Sequence, residues 1–195
     1  MSDSFKFSDE TLAAANKIIA RYPQGRQYSA VLPLLDLAQR QNDGHASDAV
    51  IDAVAAMLEM PRIRVMEIAT FYTMFHRAPV GKYHLQCCTT TPCWLRGSAE
   101  VVDAMMKHLG IGYGEVTKDG LFSMIEVECL GGCVNAPVVQ INDDFYEDLD
   151  AASIVKILNA LKAGEQPKPG PQIDRQTSAP VGGPTTLKSA AAAKG

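Results

Sequence analysis

Residues 88–93 read Cys88-Thr-Thr-Thr-Pro-Cys93, and after a gap of 35 residues the chain reads Cys129-Leu-Gly-Gly-Cys133. Four residues separate the first two thiols and three separate the second two. Each pair follows a stretch with strand character, so each sits in a loop where side chains can converge on a shared ligand. Three chemistries suit four such thiols: an iron–sulfur cluster, a zinc ion, or disulfides and redox thiols. Structural zinc sites favour tighter loops, often with two intervening residues, whereas this gap holds a whole helix and a strand. The spacing therefore favours iron–sulfur, with zinc and redox thiols open. Gly131 and Gly132 fit that preference. They let backbone pass close to a ligand and aim amides at it. A cluster of two ferric ions, two sulfides and four thiolates carries roughly −2 before reduction, so donors to sulfur matter.

The remaining cysteine, Cys87, is next to Cys88. Side chains alternate across a strand, so with Cys88 turned to the ligand Cys87 points away, as a buried small hydrophobe, with a substitute ligand or a second redox thiol as the sharper alternative. A net charge of −4 over 195 residues gives no footing for nucleic acid. No apolar run is long enough to span a bilayer, so no direct membrane insertion is expected. The N-terminus, Met-Ser-Asp-Ser-Phe-Lys-Phe-Ser-Asp-Glu, has neither an apolar signal region nor an Arg-rich transit pattern. The expected setting is the reducing cytosol of a bacterium, or a chain already processed, where clustered cysteines more often bind metal than form disulfides.

Working outward from the cysteines, the chain divides into three. Residues 1–80 read as four amphipathic helices. Ser8 caps the first, with Leu12, Ala15 and Ile19 on one face. The second starts near Ser29, Ser47 caps the third, and Pro61 opens the fourth, whose stripe runs Val65, Ile68, Ala69, Tyr72, Phe75. Residues 81–164 read as a strand (82–87), a helix (98–109), a strand (121–127), a hairpin around Asn142-Asp143 and a closing helix (151–163). That order suits a small α/β sheet of thioredoxin type. Residues 165–195, rich in Pro, Gly, Ser, Thr and Ala, read as an extended, largely disordered tail that could lie along a partner. The fold class is α+β: an N-terminal helical bundle, a thioredoxin-like α/β domain and the tail.

Other residues carry weaker signals. Glu126 and Glu128 flank Cys129 either as a solvated or partner-facing edge or as a source of negative charge at the ligand. Trp94 shields the ligand or meets a partner, and Arg96 reads as an ion-pair or interface residue. Phe71, Tyr72 and Phe75 read as core or interface. His45, His76, His84 and His108 are scattered, whereas a Rieske-type centre needs two at ligand positions. No strand–GxGxxG–helix unit appears, so dinucleotide binding by this chain is not expected.

Several stretches match one family together: Glu67-Ile-Ala-Thr-Phe-Tyr-Thr-Met-Phe75, Cys88-Thr-Thr-Thr-Pro-Cys-Trp-Leu-Arg-Gly97, Ile125-Glu-Val-Glu-Cys-Leu-Gly-Gly-Cys-Val-Asn-Ala-Pro137, Val139-Gln-Ile-Asn142, Phe145-Tyr-Glu-Asp148 and Pro167-Lys-Pro-Gly-Pro171. Over about residues 8–171 the chain resembles the thioredoxin-like [2Fe–2S] subunit of respiratory complex I (NADH:quinone oxidoreductase). The resemblance implies that Cys88, Cys93, Cys129 and Cys133 hold one [2Fe–2S] cluster in a thioredoxin-like domain. It also implies that FMN and NADH belong to a neighbouring flavoprotein subunit, with the cluster near that flavin and off the main wire to quinone. This chain would then have no catalytic residue of its own. It would sit among other peripheral-arm subunits, on the cytoplasmic face of a bacterial inner membrane or on the matrix side in an organelle. The family also supplies subunits to NAD-linked hydrogenases and formate dehydrogenases. A free thioredoxin-like ferredoxin and a zinc-stabilised interaction module are the readings from other classes. Cys87 and the Ala-rich end lie outside the shared pattern.

Overall fold

The computed structural model describes residues 4–183 and 186, and its contacts divide the chain into two units, Met1–Lys82 and Tyr83–Gly195. In the first unit, helix starts are set by hydroxyls. The Ser8 hydroxyl accepts from the Thr11 amide at 3.2 Å and opens α1 (Asp9–Ile19), with Asp9 and Glu10 at the positive end of the helix dipole. The Ser47 hydroxyl does the same for α3 (Asp48–Leu58), accepting from Val50 at 3.3 Å. Between them α2 (Val31–Gln41) begins two residues later than expected, because Gln27–Ala30 winds as a tighter 3-10 turn. Pro61 lies just before α4 (Arg62–Phe71) rather than inside it, a one-residue difference at a helix end. Leu34, Leu35, Val50, Ile51, Val54, Leu58 and Val65 bury their side chains in one core.

The stripe expected to run on to Tyr72 and Phe75 departs from the helix. Tyr72 is extended, Phe71 and Tyr72 face solvent, and only Phe75 turns back into the core. The buried Gln39 holds this turn. Its amide donates to the Met74 carbonyl at 3.0 Å and accepts from the His76 amide at 2.8 Å. A polar side chain on α2 therefore sets where α4's continuation goes, which apolar periodicity does not register.

The second unit is a six-stranded sheet with helices. The strands are β1 (Tyr83–Cys88), β2 (Glu115–Val116), β3 (Phe122–Val127), β4 (Val139–Ile141), β5 (Asp144–Glu147) and β6 (Gly170–Pro171), ordered β2-β3-β1-β4-β5-β6. β1 and β3 run parallel with Cys88 opposite Val127. β4 pairs antiparallel with β1 and with β5. A short helix α5 (Thr91–Leu95) and a longer α6 (Ser98–Leu109) connect β1 towards β3, and α7 (Ala151–Lys162) follows the hairpin. Asp150 and Ser153 form a reciprocal capping box at the start of α7. Leu85, Cys87, Phe122, Met124 and Ile141 from the strands share a core with Val101 and Met105 of α6 and Ile154 and Leu158 of α7.

The start of the tail is tied to the sheet. β6 pairs parallel with β5, Tyr146 opposite Gly170, and the Tyr146 hydroxyl donates to the Pro167 carbonyl at 3.2 Å. Pro167, Pro169 and Pro171 suggest a loose segment by composition, but a proline is tolerated on an edge strand because no ladder donor is needed there. The run Ala190–Ala193 lies outside the described residues.

Candidate metal centre

The parallel register of β1 and β3 sends both cysteine-bearing loops off the same edge of the sheet. Cys88 ends β1 and Cys93 sits in α5, 3% and 2% exposed, packed with Ala136 and Val138 in a small apolar cluster. Cys129 and Cys133 are exposed, with their sulfurs 3.3 Å apart. Cys87 faces the other side of β1, fully buried, its sulfur 4.0 Å from the Met105 sulfur. Burial pushes its thiol up to about 12, so it stays protonated and inert.

Hydrogen bonds to sulfur arrange the other four. Burial pushes the Cys88 thiol up, but bonds from the Thr90 hydroxyl, the Leu130 and Thr90 backbones and Cys93 outweigh it and hold the group below the ordinary thiol range. The Thr90 hydroxyl lies 3.3 Å from the Cys88 sulfur. Cys93 is pushed up to about 12, first by burial and then by its bond to Cys88. Cys129 is held low by the Gly131 backbone, then by Cys133 and Thr90, while its partner Cys133 is raised first by that same bond to Cys129. Metal binding requires all four thiols as thiolates, so binding would release their protons. Gly131 takes φ +83°, a left-handed conformation that directs its amide to Cys129.

The four thiols thus stand as two pairs. Among the described residues no three of His, Cys, Asp and Glu are close enough to hold a single metal ion. Two all-sulfur pairs with backbone donors, one pair buried and one exposed, fit a two-iron cluster better than one tetrahedral zinc.

Sequence reasoning did not foresee three elements near the site. The helix α5 that carries Cys93 is only five residues long, too short for a periodicity signal. Thr90 stands at the N-cap of α5 yet makes no capping bond and turns its hydroxyl to sulfur instead. Its place between the two first cysteines was the only available signal. The third is the support of the Cys133 turn, the 3-10 segment Cys133–Asn135, by the buried Asn135. Of the weaker candidates, Glu126 and Glu128 are exposed, and Glu126 accepts from the Thr89 hydroxyl. Trp94 is 63% exposed. His84 is buried and bonded to the Ser123 hydroxyl at 2.7 Å.

The family model described as thioredoxin-like [2Fe-2S] ferredoxin matches residues 15–162. An NADH-quinone oxidoreductase subunit of Rickettsia bellii is 57% identical over 159 residues, covering 82% of this chain and 95% of that protein. The mitochondrial NADH dehydrogenase [ubiquinone] flavoprotein 2 of Dictyostelium discoideum is 49% identical over 183 residues, 94% of this chain and 74% of that one. Among solved structures, an NAD+-reducing [NiFe]-hydrogenase in its H2-reduced state superposes with a TM-score of 0.60 over 68% of this chain at 22% identity. The chain spans only 22% of that hydrogenase chain, and at this identity the likeness is one of fold.

Proposed function

This chain belongs to the thioredoxin-like [2Fe–2S] ferredoxin family, and we infer that it is an electron-transfer subunit of an NADH:quinone oxidoreductase. On this reading Cys88, Cys93, Cys129 and Cys133 would hold the cluster. FMN and NADH are bound by a flavoprotein partner. The observation that carries the reading is the two-pair arrangement of thiols at one sheet edge, supplied with backbone and hydroxyl donors.

When bound, the cluster supplies one-electron chemistry at sulfur-ligated iron. The chain's own groups set the conditions. The buried pair with Ala136 and Val138 excludes water from one side. The exposed pair leaves the other side open, and the neighbouring Trp94, Leu95 and Val134 are large apolar side chains in solvent. Exposed apolar groups beside a redox centre suit a surface covered by a partner, which shortens the electron's path and dries it. The backbones of Leu130 and Gly131 and the hydroxyl of Thr90 offset negative charge on sulfur. On this reading the N-terminal helices α1–α4 dock the assembly, and the sheet unit that follows holds the cluster. No helix among the described residues is long and apolar enough to cross a membrane, and we place the chain in the peripheral arm on the cytoplasmic or matrix side.

The test is anaerobic purification followed by electron paramagnetic resonance of the reduced protein, with Cys129→Ser beside the wild type. The variant is expected to lose or grossly alter the cluster signal; an unchanged spectrum overturns the ligand assignment. The fold likeness to the hydrogenase chain favours one second reading, the equivalent subunit of an NAD-linked hydrogenase or formate dehydrogenase. Identification of the co-purifying subunits separates the two.

A further inference from the structure

The family match ends at residue 162, yet the chain beyond it returns to the turn that carries Cys133. The Gln172 amide donates to the Glu147 carbonyl at 2.9 Å, which continues the edge begun by β6. Arg175 then turns inward. Its Nη1 donates to both Asp148 carboxylate oxygens, at 2.9 and 3.2 Å, and to the Val134 carbonyl at 3.4 Å. Its Nε donates to the Ala179 carbonyl at 3.0 Å. The Arg175 and Asp148 side chains are only 6% and 5% exposed. Two residues on, the Thr177 carbonyl accepts from Asn135 Nδ2 at 3.1 Å.

Val134 and Asn135 directly follow Cys133 in the same 3-10 turn. That turn is held from the sheet side as well. The Asp148 amide donates to the Asn135 carbonyl at 2.6 Å, and Asn135 Nδ2 also donates to Glu147. Asp148 is thus a hinge point with two partners: its backbone grips Asn135 and its carboxylate grips Arg175, which grips Val134.

We propose that Arg175, acting through Asp148 and Val134, is a positioning residue that clamps the Cys133 turn in its liganding geometry. The proposal rests on Cys133 being a ligand. Removing one partner of a buried ion pair leaves an uncompensated charge in a dry place, and the structure relieves it by opening locally to water. The segment free to open is the turn itself, because its sulfur is already exposed. Cluster loss would then proceed through the Cys129/Cys133 side.

The test uses the full chain, reconstituted anaerobically with iron and sulfide, as wild type, Arg175→Ala and Asp148→Asn. Iron release to a ferrous chelator is followed by the fading of visible absorbance, and the reduced proteins are compared by electron paramagnetic resonance. Arg175→Ala is expected to release iron about tenfold faster or more, with a changed g anisotropy and an unchanged far-ultraviolet circular dichroism spectrum. Asp148→Asn is expected to speed release severalfold. Wild-type release and an unshifted resonance spectrum in a folded Arg175→Ala protein overturn the clamp while leaving the ligand assignment intact. Should Arg175→Ala fail to fold, the same result in Asp148→Asn overturns it. A wild-type chain that takes up no iron and sulfide overturns both readings.

Discussion

The two adjacent glycines of the second cysteine loop serve opposite physical ends, and substitution can separate them. Gly131 sits at φ +83°, where a Cβ would meet nothing within 4 Å. An alanine there is penalised by backbone conformation alone, about 1–2 kcal/mol. Gly132 sits at φ −81°, open to any residue, but a Cβ would fall 3.1 Å from Val138 Cγ2, 3.7 Å from its Cγ1 and 3.9 Å from a ring carbon of Phe145. Val138 is buried in one cluster with Cys88, Cys93 and Ala136, so its displacement would disturb that packing. Overpacking of that kind costs about 1–3 kcal/mol. Gly131→Ala and Gly132→Ala should therefore destabilise by similar amounts for unrelated reasons. The rescues differ. Val138→Ala removes the methyls that Gly132→Ala strikes, so the two should couple by about 1 kcal/mol or more in a double-mutant cycle. With Gly131→Ala the coupling should fall within about 0.5 kcal/mol of zero. Conversely, Gly131→Asn should recover part of the loss, because asparagine tolerates the left-handed region. The assay is urea unfolding of the iron-free chain, followed by the single tryptophan, Trp94, which lies in the cysteine-bearing unit. Equal coupling of Val138→Ala to both glycine variants would refute the reasoning.

Two further outcomes follow from single side chains. Thr90→Val keeps the shape of the side chain and leaves α5 uncapped as before, but removes the hydroxyl 3.3 Å from the Cys88 sulfur. Hydrogen bonds to charged acceptors are worth about 1.5–3 kcal/mol, and the bond strengthens as negative charge grows on reduction. If about 1 kcal/mol of that is differential, the reduction potential drops by roughly 40 mV, since a tenfold change is 59 mV for one electron. Redox titration should find Thr90→Ser near the wild type, and an unshifted Thr90→Val would show that the hydroxyl does not tune the cluster. At the start of α7, the Asp150 carboxylate is held below its usual range, first by the Ser153 amide and then by the Ser153 hydroxyl. A depressed folded value means that the contribution is complete above the ordinary aspartate range near pH 4 and is lost as pH falls through the folded value. Asp150→Ala should therefore cost about 1 kcal/mol at pH 7, and its deficit should shrink below about pH 4. A deficit that stays constant down to pH 2.5 or so would argue against the cap's charge.

The limits of what the residues disclose follow from how far each signal reaches. Ser8 and Ser47 disclose helix starts because a cap is a contact over three residues. The α6 span, Ser98–Leu109, is read in full because twelve residues carry a complete amphipathic pattern that ends at Gly110 in the left-handed region. Cys87 is legible as core because alternation on a strand is a two-residue rule. The same rule misleads at β3, where Phe122, Ser123 and Met124 are all buried, Ser123 bonded to the buried His84 of the neighbouring β1. What escapes is long-range and polar: Gln39 steering the chain after α4, and Arg175 meeting Asp148 across 27 residues. Neither leaves a periodic trace, and a proline-rich composition actively hides the second.

The site itself depends on a feature between these extremes. The two cysteine pairs can be read in the chain, and each is seen to follow a strand, but whether they meet turns on the direction in which those strands run. β1 and β3 are six residues each, about 20 Å long at the usual rise. Were they antiparallel neighbours, the loops after their C-terminal ends would leave opposite edges of the sheet, and the thiol pairs would stand roughly that far apart, beyond the reach of any small cluster. The intervening α5 and α6 return the chain to the starting edge, which makes the pairing parallel and puts Cys88 and Cys129 at the same end. The helix inside the 35-residue gap is therefore part of how the site is built. Its presence, readable as periodicity at 98–109, is the physical reason that so wide a spacing is compatible with one four-sulfur centre.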